Sequence, residues 1–535
     1  MPIFHDRKTA KGRTIALYPG AFRPPHAAHY IAVRHLLALP KIDKVVVIIS
    51  NRCRPIPGTT LALDPTIAQR IWSIYLQGTD KIQVEVASHT AVGHALEYFD
   101  RVEVGDTLLF CLGETDISQG DDRFRNLKDL AKQSGIQATV IQAPTGSIQT
   151  RSTSLRAALT QGDTGREDFF SALPTHLTHK QREEVWIVCR EGMREMGDVV
   201  KEKVATFINR TDLGDIEEIR STVPGKLDQV LRVQLKNGRC LFVKYAGDAV
   251  GTEEIGQRLT LKPRNRLSVE RKALKWLRAH MNGNIELPEV IYFDKKTWAL
   301  VLSEVCPGGN LLQDDLKRGF FNPTVASKAS QFLAECHTMA KHVPRLWGDA
   351  EIDRQHWKRM LALRTVELKL ESSPKDLRKN LATLKLASEN AEENRFVNLD
   401  FHPKNIFISE DKIGVIDFEL SSSFGDPAFD LGSFLGHYVY WILASSTGNS
   451  WQKTIQRALH AYQQEVGHLW ERMDLRMVAF TGATLLNIRT REDCKFNRDL
   501  AKMVMQTGTF LLAQGIKQRG DAERILCEAI NHFSG

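Results

Sequence analysis

The chain has 535 residues, a formal net charge of +8, 42% apolar residues and 25% charged residues. That length suits roughly two or three folded domains with sizeable cores, and the composition excludes a disordered or fibrous chain. The mild positive charge favours anionic ligands, with no basic tract that would call for nucleic acid. Eight scattered cysteines without a C-x-x-C pair argue against a disulfide scaffold or a zinc site. The N-terminal stretch MPIFHDRKTAKGR lacks the apolar core of a signal peptide. The apolar run YVYWILA, 438–444, is too short to cross a bilayer. The expected location is cytoplasmic.

In chain order, residues 14–18 read as a buried strand and 27–39 as a helix. KVVVIIS, 44–50, is a β-branched run without polar alternation, which suits a parallel strand covered on both faces. A helix follows over 63–77, a strand at 84–87, a helix near 91–99 and a strand at 106–113. FRNLKDLAKQSG is a helix ending at Gly135, and QATVIQA is a strand. The alternation predicts a doubly wound α/β domain over residues 1–178.

Such sheets bind ligands beyond the carboxyl ends of their strands. PGAFRPPHAAHY, 19–30, lies there, with Gly20 giving the backbone room and two prolines stiffening the turn. His26 and His29 then stand at a helix start, where free amides attract phosphate. The stretch reads as a rigid turn, a metal site or a polyphosphate cradle. GAFRPPHAAH resembles the first motif of the HxGH nucleotidylyltransferase superfamily, G-x-F-x-P-x-H-x-G-H, with Ala28 where the family has glycine. TRSTSLRAAL, 150–159, resembles its second motif through Ser152, Thr153 and Arg156, with Thr150 and Arg151 in place of Ile-Ser. The resemblance implies transfer of a nucleotidyl group from CTP or ATP to a phosphomonoester. His26 and His29 would stabilise the transition state. Gly20, Phe22, Ser152, Thr153 and Arg156 would hold the nucleotide. Asp116, in a GETD turn one residue longer than the family's G-x-D, is a candidate for base or ribose recognition. Arg52 and Arg54 are candidates for the acceptor phosphate, or solvated loop charges.

Residues 179–215 are charged and mostly helical in pattern, and read as a helical connector without the Gly/Ser or Pro richness of a flexible linker. Beyond 216, LDQVLRVQL and RCLFVKYA are two strands joined by Asn-Gly, a strong hairpin signal. The turn ahead of them, with Gly225, is placed to lie over a nucleotide. Lys244 is nearly alone on an apolar strand: an edge lysine reaching solvent, or half of an ion pair with Glu270 on the helix over 266–280. WALVLSEVCPGGN, 298–310, is a strand running into a connector, with 303–306 expected beside an adenine.

FVNLDFHPKNIFISEDKIGVIDFE, 396–419, places Asp400 and Asn405 in one loop and Asp417 at a strand end. Phosphoryl transfer to a hydroxyl uses such a trio, one carboxylate taking the proton and the other two residues holding magnesium. The segment resembles the H-G-D-x-H-x-x-N and I-D-x-E motifs of the aminoglycoside phosphotransferase and choline kinase superfamily, which includes methylthioribose kinase. FGDPAFDLG, 424–432, resembles its G-D-P-x-x-D-L-A segment. Asn398-Leu399 stands where the family has H-G, and His402 matches its second histidine. The resemblance implies a two-lobed protein-kinase-like domain over 216–535, with an N-lobe to about 306. Asp400 would be the base, Asn405 and Asp417 the magnesium ligands, Lys244 and Glu270 the ATP-orienting pair, and Asp430 the support of the catalytic loop.

The two resemblances compose a pathway. A kinase makes a phosphomonoester from a sugar or amino alcohol, and a nucleotidylyltransferase consumes one, releasing pyrophosphate. The leading expectation is one bifunctional enzyme with Mg2+, ATP and CTP or ATP as its nucleotides, and small molecules as its other partners. The alternatives are two unrelated activities, or one inactive domain serving as a nucleotide sensor.

Overall fold

The computed structural model describes residues 12–51, 53–57, 59, 61–77, 79–87, 90–113, 124, 127–143, 152–221, 229–246, 263–281, 283, 285–295, 297–339, 343–365, 375–391, 395–410, 412–445, 450–488, 497–517 and 520–533. The chain divides into two units, Met1–Leu213 and Gly214–Gly535.

In the first unit five parallel strands lie in the order Ile82–Val86, Lys44–Ile49, Thr14–Gly20, Thr107–Gly113, Gln137–Ala143. Successive residues of Lys44–Ile49 and Thr14–Gly20, two of the three inner strands, serve different cores. Ala16, Tyr18, Val45, Val47 and Ile49 join one cluster with Val33 and Leu36 of helix Ala27–Ala38 and Ile71 of helix Pro65–Tyr75. Ile15, Leu17, Val46 and Ile48 join another with Ala91 and Ala95 of helix Ala91–Leu96. This two-sided burial is why KVVVIIS carries no polar alternation. The order reverses between Thr14–Gly20 and Thr107–Gly113, which creates a switch point at the carboxyl end of the first strand. The sheet is consistent with a Rossmann-like winding.

The segment expected as a connector lies almost wholly within this unit. Helix His179–Glu191 opens with a capping box between Thr178 and Gln181 and buries Val185, Trp186, Val188 and Cys189 in the first core. Strand Met193–Glu195 then pairs with Leu61–Leu63, itself paired with Arg54–Pro55.

The second unit is mixed α/β. Its antiparallel sheet runs Val290–Asp294, Ala299–Ser303, Cys240–Tyr245, Gln229–Leu235, Ile216–Ser221. The Asn-Gly signal holds: Gly238 closes the hairpin at φ +83°, and the Asn237 side chain accepts from the Arg239 amide at 3.0 Å. Helix Pro263–His280 packs on this sheet, sharing Leu267, Leu274 and Leu277 with Leu300 and Leu302 in one core. After Ser303 the chain passes through Val305 and Cys306, both buried, to Asn310–Leu311. That short strand pairs with Ile406–Ser409, which pairs with Lys412–Val415. The connector therefore ends beside the loop that carries Asp400. The remaining mass is helical. Helices Pro427–Ala444, Leu469–Ile488 and Arg498–Lys517 pack closely because glycines face the crossings: a Cβ on Gly432 would lie 2.5 Å from that of Phe480, and one on Gly482 would lie 2.5 Å from the Gly508 carbonyl oxygen. Among the described residues no helix is long and apolar enough to cross a membrane.

Candidate functional site

Each unit brings several of its described motif residues to one place. In the first, the loop 21–26 leaves the central strand at the switch point and ends in His26, the N-cap of helix Ala27–Ala38. Three successive carbonyls of this loop are held by side chains from elsewhere. Arg156 donates to the Arg23 carbonyl at 2.8 Å, Ser152 to Pro24 at 3.2 Å, and Tyr75 to Pro25 at 2.9 Å. The two motifs, over 120 positions apart, thus meet in space. Tyr75 was not legible as part of the site; its signal is only an aromatic on the apolar face of a helix.

His29 Nδ1 accepts from the His26 amide at 3.3 Å, which leaves Nε2 as the protonated nitrogen of a neutral ring. The two imidazoles lie 3.8 Å apart between centroids. His26 is 4% exposed, and among the described residues its Nδ1 has no hydrogen-bond partner. Burial pushes the His26 pKa down to about 4. Burial, with His26 adding to it, holds His29 well below its ordinary value. Both rings are neutral at pH 7, and among the described residues no cluster of metal-ligating side chains includes either.

Several expected contacts take another form. The space beside Gly20 is filled by the Phe22 ring: a Cβ there would lie 2.5 Å from it. Phe22 itself, at φ +49°, is a core residue packed on Tyr18, His29 and Trp72. The Ala27 amide, one of the helix-start donors, is bonded to the Ala172 carbonyl at 2.9 Å. Arg156 is 9% exposed and tied to Arg23 and to Thr153 Oγ1, so its guanidinium faces the loop. Arg54 is exposed on its short strand. Arg52, Asp116, Thr150 and Arg151 lie outside the described residues, as does Gly225 in the second unit.

In the second unit Lys244 sits on the central strand of the sheet, between Val230 and Leu300, and is 8% exposed. It is no edge lysine reaching solvent. Its Nζ lies 2.8 Å from Glu270 and 2.8 Å from Asp417. Burial alone would lower the lysine pKa, but the carboxylates of Asp417, Glu270 and Glu419 outweigh it and raise the value well above the ordinary one. Burial raises the Glu270 carboxyl, against the pull of Lys244. Glu270 Oε1 also accepts from the Phe418 amide at 3.3 Å. Four residues earlier on the same helix, Arg266 bonds Glu419. Spacing of four puts Arg266 and Glu270 on one helix face, so the helix grips the 417–419 segment twice. Neither Arg266 nor the pairing of Glu419 was legible from the motif.

Asp417 stands at φ +69° and Leu399, just before Asp400, at φ +67°. Non-glycine residues adopt this region only where surrounding bonds hold them. For Leu399 the bond is visible: its amide donates to Asp430 at 2.9 Å, and the Asn398 amide does so at 2.6 Å. Asp430 is 1% exposed, so it serves the loop and not a ligand. Asn398 Oδ1 accepts from the Asp400 amide at 2.9 Å, ordering the loop where the family has histidine. Asn405 Nδ2 donates to the Asp400 carbonyl at 3.0 Å and approaches its carboxylate at 3.4 Å. His402 Nε2 lies 3.5 Å from the same carboxylate. The Ile416 amide donates to the Asn405 carbonyl at 3.0 Å, which brings Asn405 next to Asp417.

The donors here suit magnesium. Carboxylate oxygens of Glu270, Asp417 and Glu419 lie within 4.8 Å of one another, and Asn405, its amide nitrogen used on Asp400, keeps its amide oxygen as an acceptor. Hard oxygen donors of this kind are what Mg2+ takes.

By sequence, none of the curated proteins matches the chain. Similar solved structures include choline kinase LicA from Streptococcus pneumoniae, 16% identical over 60% of this chain and 99% of that one, TM-score 0.38. Others are macrolide 2'-phosphotransferase MphH from Brachybacterium faecium, 16% over 57% and 97%, TM-score 0.36, and a putative fructosamine-3-kinase from Thermobifida fusca, 17% over 58% and 98%, TM-score 0.35. The model of the phosphotransferase enzyme family, APH, matches residues 235–475, a stretch that includes Lys244, Glu270, Asp400, Asn405, Asp417 and Asp430. That match lies wholly within the second unit.

Proposed function

We propose that the second unit transfers the γ-phosphoryl group of ATP to a hydroxyl of a small molecule. The observation that carries this reading is the convergence of Lys244 from a strand, Glu270 from a helix, Asp400 and Asn405 from one loop and Asp417 from beyond a strand end, around one carboxylate-lined space. Asp400 accepts the proton of the attacking hydroxyl, and Asn405 and His402 hold its carboxylate in place. Lys244, oriented by Glu270, bonds phosphate oxygens of ATP. Asn405, Asp417 and, beside them, Glu419 would hold magnesium, which when bound neutralises charge on the transferring phosphate. The acceptors to try first are choline, ethanolamine, aminoglycoside and macrolide sugars and fructosamines, each with Mg·ATP. Mass detection of a monophosphate that depends on Asp400 supports the reading; no phosphorylated product from any of them, with ATP bound, opposes it.

For the first unit the same proposal assigns nucleotidyl transfer from CTP or ATP to the phosphomonoester made by the second. Support comes from the motif resemblance and from two neutral histidines held at the switch point of a parallel sheet. A protonated Nε2 on His29 is a hydrogen-bond donor for a phosphoryl oxygen as charge develops. No covalent enzyme intermediate is needed: the acceptor phosphate attacks the α-phosphorus and pyrophosphate leaves. The check is pyrophosphate release from purified monophosphate with each common nucleoside triphosphate. Its absence would leave the phosphotransferase alone.

A further inference from the structure

Asp430 positions the catalytic loop, and it is itself positioned from behind. Its Oδ2, which accepts from the Asn398 amide, lies 3.3 Å from Nε2 of His337. His337 Nδ1 lies 2.6 Å from the hydroxyl of Tyr462. The three side chains come from three helices, Pro323–Thr338, Ser450–Val466 and Pro427–Ala444. His337 and Tyr462 are 0% exposed.

The protons in this chain can be placed. An ionised carboxylate only accepts, so His337 Nε2 must carry a hydrogen whatever the charge of the ring. Nδ1 is then served by the Tyr462 hydroxyl, as donor or acceptor. Met473 Sδ, 3.5 Å from the same hydroxyl, is a weak acceptor and a poor competitor. With Nε2–H in place, Asp430 has a third donor besides the two loop amides. Its carboxylate is thereby fixed in the orientation that reaches both Asn398 and Leu399.

We propose that Tyr462 and His337 form a buried positioning relay for the phosphotransferase, acting through Asp430 on the loop that aims Asp400. The proposal rests on the phosphotransferase reading. What makes the relay more than a staple is the residue at its far end. Leu399 holds φ +67° immediately before Asp400, and its amide bond to Asp430 is what keeps it there. A carboxylate free to rotate on Asp430 would let Leu399 relax and swing Asp400 away from the attacking hydroxyl. Displacements of about 1 Å at a reacting group cost on the order of 100-fold in rate.

The test uses the full chain and two readouts. The first is independent of activity: in 15N-histidine-labelled protein, His337 should show a protonated Nε2. An Nδ1–H tautomer with bare Nε2 overturns the relay. The second is ADP release from Mg·ATP with water as acceptor. His337→Ala should lower kcat by roughly 10- to 100-fold with KM for ATP unchanged. His337→Gln, whose amide nitrogen can take the place of Nε2, should recover most of the loss, and Tyr462→Phe should cost less than His337→Ala. An unchanged kcat in a folded His337→Ala variant overturns the proposal, as does a His337→Gln variant no better than alanine at equal melting temperature. If the intact chain releases no ADP and phosphorylates none of the acceptors named above, the phosphotransferase reading fails, while the imidazole spectrum still decides the relay.

Discussion

The two sites restrain their polar groups in opposite ways. In the first unit side chains hold backbone: Arg156, Ser152 and Tyr75 donate to the carbonyls of residues 23, 24 and 25, and His29 accepts from the His26 amide. The groups at the mouth stay neutral. In the second unit charges hold charges: Lys244 lies between Glu270 and Asp417, and Arg266 holds Glu419. A loop fastened through its carbonyls keeps its shape through many independent bonds. A cluster of coupled charges depends on every member, because removing one leaves the others buried and uncompensated. The first arrangement suits a rigid cradle. The second suits a site whose partners change when phosphate and a cation enter.

The contrast can be broken most strongly at Lys244. Lys244→Met leaves Glu270, Asp417 and Glu419 close together with their central cation gone. The second unit should lose roughly 3–5 kcal/mol in urea unfolding, and phosphoryl transfer with it. At the first site, His26→Ala should slow the proposed nucleotidyl transfer by about 100-fold, read as pyrophosphate release, with the proposed phosphoryl transfer by the second unit unaffected.

Acid should weaken the first unit through His26 as well. The His26 pKa is about 4 in the fold and about 6.5 in an unfolded chain, so between these values the unfolded state binds more protons. Stability from this group is full above pH 6.5 and falls as pH drops towards 4, by ~3 kcal/mol in all. His26→Gln should flatten that acid limb in a urea titration of the first unit. Lys244 works in the other direction: its raised pKa contributes stability that is complete below about pH 10.5 and lost only as pH rises through the folded value. The smallest effect belongs to a single backbone clamp. Tyr75→Phe removes one bond to the Pro25 carbonyl and should cost about 1 kcal/mol, against the several expected at Lys244.

Much of this was written locally. KVVVIIS announced its two covered faces, Asn-Gly its hairpin, and the 396–419 segment its loop and two short strands. The motif residues of the second unit, each a charge or amide at fixed spacing, do meet in the fold. What escaped were partners set by packing over long separations. Strand Met193–Glu195 pairs with residues 130 positions earlier, and three residues give too little periodicity to read. Ile216–Ser221, mostly polar, becomes a strand because Gln229–Leu235 offers it an edge. Arg266 looks like any helix-surface arginine until the 417–419 segment lies over it. At Gly20 the neighbour that excludes a side chain is Phe22, two residues on, whose positive φ no composition reveals.

In the proposed reaction Asp400 takes the proton of a small-molecule hydroxyl in ATP-dependent phosphoryl transfer. The most direct measurement is single-turnover phosphorylation of an acceptor by the intact chain and by Asp400→Asn, with ATP binding followed in parallel. The predicted result is a phosphomonoester from the intact chain, a rate lower by about 100- to 10,000-fold in the variant, and ATP affinity unchanged. An Asp400→Asn variant that phosphorylates as fast as the intact chain would contradict it.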